Sequence, residues 1–287
     1  LQEAQELVKE LGGLKNNQKV LFLHGGAKHM FDMVPANLLS QDSFAAYIDT
    51  GRWAEMAAQN ASIYGGINTI ASSKHDAYRY IPKTFDVSQE AAYSHLTTNN
   101  TVVGTQFPSI PKVEVPLVAD MSSDIFSCTR GFNQVDLAYA SAQKNIGIAG
   151  MTLVILNEDL NFPVRKLGRM MDLRQHLKAH SNLNTPPVFA IYVCLLMLRW
   201  IKSIGLKKLE QINRQKADLF YDELDRNALF QAYANTGSRS KMNATFFCNR
   251  PEDEQRFLKV CEEAGVEQIK GHRSLGGLRI ALYNAIP

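Results

Sequence analysis

Short, unbroken apolar runs that stop at polar or glycine-rich residues recur along the first half of this chain, with helical composition between several of them. Residues 19–23 (KVLFL) give way at once to His24-Gly25-Gly26-Ala27-Lys28, and residues 44–48 (FAAYI) end at Asp49-Thr50-Gly51. Residues 68–71 follow the helical stretch 53–62, and 115–119 (VPLVA), 135–140 (VDLAYA) and 151–156 (MTLVIL) add three more runs. An apolar run without polar alternation suits a strand buried on both faces, and strands separated by helices join through crossovers into parallel sheets. The pattern predicts an α/β fold with a large, doubly wound, mostly parallel sheet, KVLFL among its parallel strands.

After Asn184-Thr185-Pro186-Pro187 the character changes. Two long helical stretches, 188–204 and 207–227, meet at Gly205, and strand candidates at 243–248 and 278–283 flank a helical stretch at 252–264. At 287 residues the chain exceeds what one core usually supports. We expect a large domain over 1–205 and a small α+β C-terminal domain over 206–287. Leu1 already lies on an amphipathic stripe with no initiator Met before it, and the chain stops at Pro287 directly after a strand-like run, so both ends read as cut.

Composition narrows the class of partner. With 45% hydrophobic and 21% charged residues the chain can bury enough apolar surface to order itself, and a net charge of +3 is too small to suggest nucleic acid or a membrane surface. A small-molecule partner is expected. Cys128, Cys194, Cys248 and Cys261 form no CxxC pair, which points to a reducing cytoplasm and away from disulfides or zinc. The seven histidines show no metal-ligand spacing, so no metal is expected. The longest apolar stretch, 188–198, is too short to span a bilayer and reads as a buried helix.

In open α/β sheets ligands bind beyond the carboxyl ends of strands, so the residues after each run carry the chemistry. The glycine turn at 24–28 leads into a helix whose first N–H groups suit a phosphate, with Lys28 adding charge, although such turns are also often purely steric. Asp120, after VPLVA, either pairs with a cationic ring nitrogen or caps the next segment. Lys144, after VDLAYA among small and apolar residues, is either a Schiff-base nucleophile or an ordinary surface lysine. Phosphate cradle, carboxylate and desolvated lysine together are what pyridoxal 5'-phosphate requires.

Segments 138–150 (AYASAQKNIGIAG), 118–123 (VADMSS), 184–192 (NTPPVFAIY) and 271–287 (GHRSLGGLRIALYNAIP), with FLHGG at 22–26 and the TTNNT stretch ending at Thr101, closely resemble the phosphoserine aminotransferase family. That family comprises class V, fold-type I (aspartate-aminotransferase-like) enzymes dependent on pyridoxal phosphate. The resemblance implies that Lys144 holds the cofactor covalently and Asp120 faces its pyridine nitrogen. It implies that Trp53 stacks on the ring, Ala27 and Lys28 hold the phosphate, and Thr101 and Gln143 bond around the cofactor. Asn184 and Thr185 would reach the phosphate in the neighbouring subunit of a homodimer with shared active sites. Arg279 would clamp the substrate α-carboxylate, while His272 and Arg273 would receive the substrate phosphate or the distal carboxylate of glutamate and 2-oxoglutarate. The implied role is phosphoserine transamination in serine biosynthesis, with 4-phosphohydroxythreonine in pyridoxine biosynthesis as a further substrate.

Departures from the family pattern are Ala27-Lys28 for a glycine followed by arginine or serine, Ser141 for a glycine, Ile148 for a proline, and Cys128-Thr129-Arg130 for an Arg-Pro stretch. The family also carries a substrate-binding His-Arg pair in a segment that would precede Leu1, so a chain beginning there is expected to bind substrate poorly. Among rivals, a cysteine desulfurase usually has histidine where this chain has Gln143, and a nicotinamide dehydrogenase lacks support because no GxGxxG follows the first strand. A non-catalytic cofactor-binding relative is the remaining alternative.

Overall fold

The structure, a computed structural model, describes residues 1–163 and 165–287. Helix α1 (Gln2–Gly12) leads into β1 (Gln18–His24), α2 (Ala27–Leu38), β2 (Phe44–Asp49), α3 (Arg52–Ala61) and β3 (Gly66–Ser72). There follow β4 (Ser94–Thr97), a small hairpin of β5 (Asn99–Asn100) and β6 (Thr105–Gln106), β7 (Leu117–Asp120), β8 (Leu137–Ser141), α4 (Ala142–Asn145) and β9 (Met151–Asn157). The rest comprises α5 (Leu173–Lys178), α6 (Val188–Ile204), α7 (Leu206–Arg226), β10 (Phe230–Ala232), β11 (Asn243–Cys248), α8 (Glu252–Glu263) and β12 (Leu278–Ala281).

Seven strands form one sheet in the order β1-β9-β8-β7-β4-β2-β3. The five from β8 to β3 are parallel, as expected for β8, β7, β2 and β3 from their apolar runs, whereas β4 answers to no such run. KVLFL corrects the expectation: β1 lies at the sheet edge and pairs antiparallel with β9, which is itself antiparallel to β8. Its unbroken apolar character requires only that both its faces be covered, whichever way it runs. Val20 and Phe22 join the core beneath α1 and α6, while Leu21 and Leu23 join the core beneath α2.

Strand β4, Ser94-His95-Leu96-Thr97, has only one apolar side chain yet lies in mid-sheet, fully buried. Among its polar side chains His95 is met by partners, its Nε2 by the Tyr139 hydroxyl at 2.8 Å and its ring by Tyr47 with centroids 4.7 Å apart, while Ser94 Oγ and Thr97 Oγ1 are buried without a partner among the described residues. Burial pushes the His95 pKa down to about 3, so the imidazole is neutral.

The second sheet, β10-β11-β12, is antiparallel and packs its apolar side on α7 and α8 around Ala217, Tyr221, Phe246, Cys261 and Leu278. Helices α6 and α7 bend by 91° at Gly205, and α7 then crosses between cores, with Leu209 in the large one and Tyr221 and Leu224 in the small one. The β5–β6 hairpin ties the sheets together. Gly104 at its turn (φ 73) lies so close to β11 that a Cβ would sit 3.0 Å from the Asn243 carbonyl and the Thr245 nitrogen. The neighbouring Val102 carbonyl accepts the Thr245 hydroxyl.

Below this hairpin Asp124, fully buried, accepts from Thr98 Oγ1 (2.5 Å), Gln106 Nε2 (2.9 Å) and Arg130 Nη1 (2.6 Å). Removing one partner of such a buried ion pair leaves an uncompensated charge. Arg130→Ala should cost about 3 kcal/mol in urea unfolding, and adding Asp124→Asn should recover part of that loss. A single variant as stable as the parent would show that the pair contributes nothing.

Candidate active site

Strand direction collects the site. Two antiparallel steps separate β1 from β8, so they run the same way, and His24 leaves the sheet one strand away from Ser141: His24 pairs with Met151 and Ser141 with Thr152. Asp120 ends β7 at the same edge. Gly25 makes the turn into α2 with φ 99, a backbone conformation that favours glycine, and the exposed His29 ring lies over the space a Cβ would take.

A cavity of ≈ 330 Å³ opens at this edge, lined by Gly26, Ala27, Lys28, Phe31, Trp53, Asp120, Ser141, Gln143 and Lys144. Lys144 Nζ lies 5.8 Å from the centre of the Trp53 ring, whose Nε1 donates to Thr101 Oγ1 at 3.2 Å. Asp120 Oδ1 accepts both the Ser122 N–H (3.0 Å) and hydroxyl (2.6 Å), and Oδ2 takes no hydrogen bond among the described residues. Burial pushes the Asp120 carboxyl up from its ordinary range, opposed by Lys144 and the Ser122 bonds. Burial pushes the Lys144 amine down, opposed by Asp120 and reinforced by Arg279. An aromatic face, a carboxylate with one open oxygen, an amine biased towards neutrality and a helix-leading turn beside Lys28 fit pyridoxal phosphate.

A cationic cluster adjoins this cavity. Arg279, on β12, donates from Nη1 to the Thr101 carbonyl at 3.1 Å, and Thr101 thereby joins the arginine to Trp53. The His272 pKa is lowered by burial first, then by Arg52, Arg279 and Arg273. A mostly neutral imidazole with three guanidinium groups in electrostatic reach suits a multiply charged anion. Arg52 was not singled out by sequence reasoning, although it stands beside Trp53 at the first position of α3. Its guanidinium carbon lies 5.9 Å from the Trp53 ring centre, and its buried Nε has no partner among the described residues.

Asn184 and Thr185 stand apart. They are exposed ahead of α6 and do not line the cavity, although the Thr185 carbonyl lies 2.7 Å from His24 Nε2 at the same sheet edge. A larger cavity, ≈ 500 Å³, lies between α7 and the loops at 107–110 and 127–131, but two of its arginines are already committed, Arg130 to Asp124 and Arg239 to Asp225. We place the chemistry in the smaller cavity, where strand ends converge.

The electrostatics have a measurable sign. Asp120 raises the Lys144 pKa, so removing its charge should increase the neutral fraction of the amine at a fixed, mildly alkaline pH. In protein stripped of bound aldehyde, Asp120→Asn should speed acylation of Lys144 by acetic anhydride, read by peptide mass spectrometry. Slower labelling in the variant would contradict the coupling.

The class-V aminotransferase family model matches residues 1–286. A phosphoserine aminotransferase of Flavobacterium psychrophilum is 48% identical over 293 residues, covering 100% of this chain and 82% of that protein. That of Listeria monocytogenes is 46% identical, with 100% and 80% covered. Among solved structures, the phosphoserine aminotransferase from Bacillus circulans subsp. alkalophilus matches with a TM-score of 0.96 and 42% identity over 100% of this chain and 81% of that one. The PLP-bound phosphoserine aminotransferase from Trichomonas vaginalis matches at 0.93 and 31%, covering 100% and 83%. The chain belongs to the class-V aminotransferases, within the phosphoserine aminotransferase family, and has their fold-type I architecture.

Proposed function

We propose that this chain transfers the amino group of O-phospho-L-serine to 2-oxoglutarate, giving 3-phosphooxypyruvate and L-glutamate in two half-reactions, with pyridoxal 5'-phosphate held in the ≈ 330 Å³ cavity. The observation that carries this reading is the desolvated Lys144 amine sharing one cavity with Asp120 and Trp53, beside the cluster of Arg52, Arg273, Arg279 and His272. When bound, pyridoxal phosphate supplies an aldehyde carbon to carry the amino group and a ring that disperses the electron pair released at Cα.

The chain's own residues do the rest. Asp120 would hold a proton on the cofactor's ring nitrogen, its Oδ2 being open while Ser122 fixes the carboxylate through Oδ1. Lys144 would move the proton at substrate Cα, its amine biased by burial towards the neutral form that can accept it. Trp53 covers the ring, Lys28 and the Ala27 turn serve the phosphate, and Gln143 and Thr101 complete the surround. Arg279 binds the α-carboxylate, whereas His272 and Arg273 bind the distal anion. Serine biosynthesis in the cytoplasm suits this chemistry and the four cysteines standing as free thiols, with 4-phosphohydroxythreonine as a further substrate.

The active unit is a homodimer in this reading. Helix α6 is apolar on two faces: Ala190, Ile191, Cys194, Leu198 and Ile201 enter the core, while Val188, Phe189, Tyr192, Leu196 and Trp200 form an exposed stripe. Phe189 is 70% exposed, more than a single surface helix ordinarily leaves uncovered. This stripe starts three residues after Thr185, so a second copy seated on it brings Asn184 and Thr185 towards the neighbouring cofactor.

Arg273→Ala should lower kcat/KM for phosphoserine and glutamate by roughly tenfold to a hundredfold and leave residual turnover of alanine unchanged, whereas Arg279→Ala should impair all three. Equal losses on alanine and phosphoserine in the Arg273 variant would assign that arginine to the wrong anion. Sulfide release from cysteine, in place of phosphoserine turnover, would favour a desulfurase. For the dimer, Lys144→Ala subunits mixed with an Asn184→Ala/Thr185→Ala variant should recover activity, because one site per heterodimer then holds all three residues. Heterodimers verified by native mass spectrometry yet inactive would rule out a shared site.

A further inference from the structure

The first amide of α2 is not free. Ala27 N–H donates to Ser141 Oγ at 2.5 Å, across 114 residues of sequence, so the backbone group assigned to the cofactor phosphate is already engaged by a side chain. Ser141 is fixed from behind: its own N–H donates to Ser122 Oγ at 3.0 Å, and that hydroxyl donates to Asp120 Oδ1 at 2.6 Å. One donor in this series is unspent. A serine hydroxyl carries one proton as well as acceptor lone pairs, and the Ser141 proton has no acceptor among the described residues. The side chain is buried, 4% exposed, and lines the same cavity as Lys28 and Gln143. Gly26 keeps the approach open, since a Cβ there would lie 3.1 Å from Ser141 Oγ.

We propose that Ser141 is a phosphate-binding residue of this cradle, its hydroxyl accepting the Ala27 N–H and donating its own proton to the cofactor phosphate. The inference rests on the reading of this cavity as the pyridoxal phosphate site. It makes the hydroxyl an intermediary: polarised by the α2 amide, it becomes a better donor towards an anion than an isolated serine. The resembling family has glycine at this position, so a side-chain donor here belongs to this chain's own sequence. The Ala27–Ser141–Ser122–Asp120 series also joins the phosphate end of the site to the carboxylate that faces the ring nitrogen.

The test compares binding of pyridoxal 5'-phosphate with that of pyridoxal, which lacks the phosphate, by absorbance and Trp53 fluorescence in protein stripped of cofactor. Ser141→Ala removes the hydroxyl while keeping the Cβ, and Ser141→Gly removes both. A hydrogen bond to a charged group corresponds to roughly ten- to a hundredfold in affinity, so both variants should bind pyridoxal phosphate weaker by that factor and bind pyridoxal as the parent does. Inorganic phosphate should protect the parent against thermal unfolding more than either variant. Unchanged or tighter binding of pyridoxal phosphate would overturn the proposal, showing that Ser141 only occupies the amide. Equal weakening for both aldehydes would also overturn it, placing the effect at the Asp120 end. A parent protein that takes up neither aldehyde would overturn the cofactor reading itself, and the proposal with it.

Discussion

Because β9 runs against both β8 and β1, the two antiparallel steps cancel, and β1 delivers its polar end to the same sheet edge as the five parallel strands. The place of the glycine turn in the active site depends on that cancellation. The Gly25–Lys28 turn, Asp120 and Ser141-Ala142-Gln143-Lys144 leave three different strands, yet converge because those strands point one way. A chain with one such reversal would send the turn to the opposite edge, far from the lysine.

At that edge burial opposes charge, and the site is arranged around the conflict. Desolvation raises Asp120 and lowers Lys144, each drifting towards its neutral form, while their mutual attraction resists both shifts. Two hydrogen bonds from Ser122 favour the carboxylate form, whereas Arg279 presses on the lysine from the small sheet. Acid and base are thus separated by neighbours rather than by distance.

What could be read from the sequence followed from local pattern. The runs ending at Asp120 and Ser141 declared their strands, and helix 188–204 was delimited by Pro187 and Gly205. The direction of β1 could not be read, because an apolar run records that both faces are covered and says nothing of which neighbour it pairs with. Strand β4 was missed because three of its four side chains are polar, and what accommodates His95, Tyr139 and Tyr47, lies elsewhere in the chain. Arg52 escaped notice because charge beside an aromatic is common on helices, and its position becomes informative only beside His272 and Arg279. Ser141 was visible as a departure from the family, but its partner Ala27 lies far away in the chain.

Thr101 sits at the turn of the hairpin that bridges the sheets, and it is used twice. Its carbonyl holds Arg279 from the small sheet while its hydroxyl holds the indole of Trp53 from helix α3, beside the large one. Mechanically it is a rivet between two plates. Arg279 spends one of the five N–H groups of its guanidinium on that carbonyl, so it is held in place with donors to spare. Any shift of this turn would therefore move a cation and an aromatic wall together, because both hang from one residue.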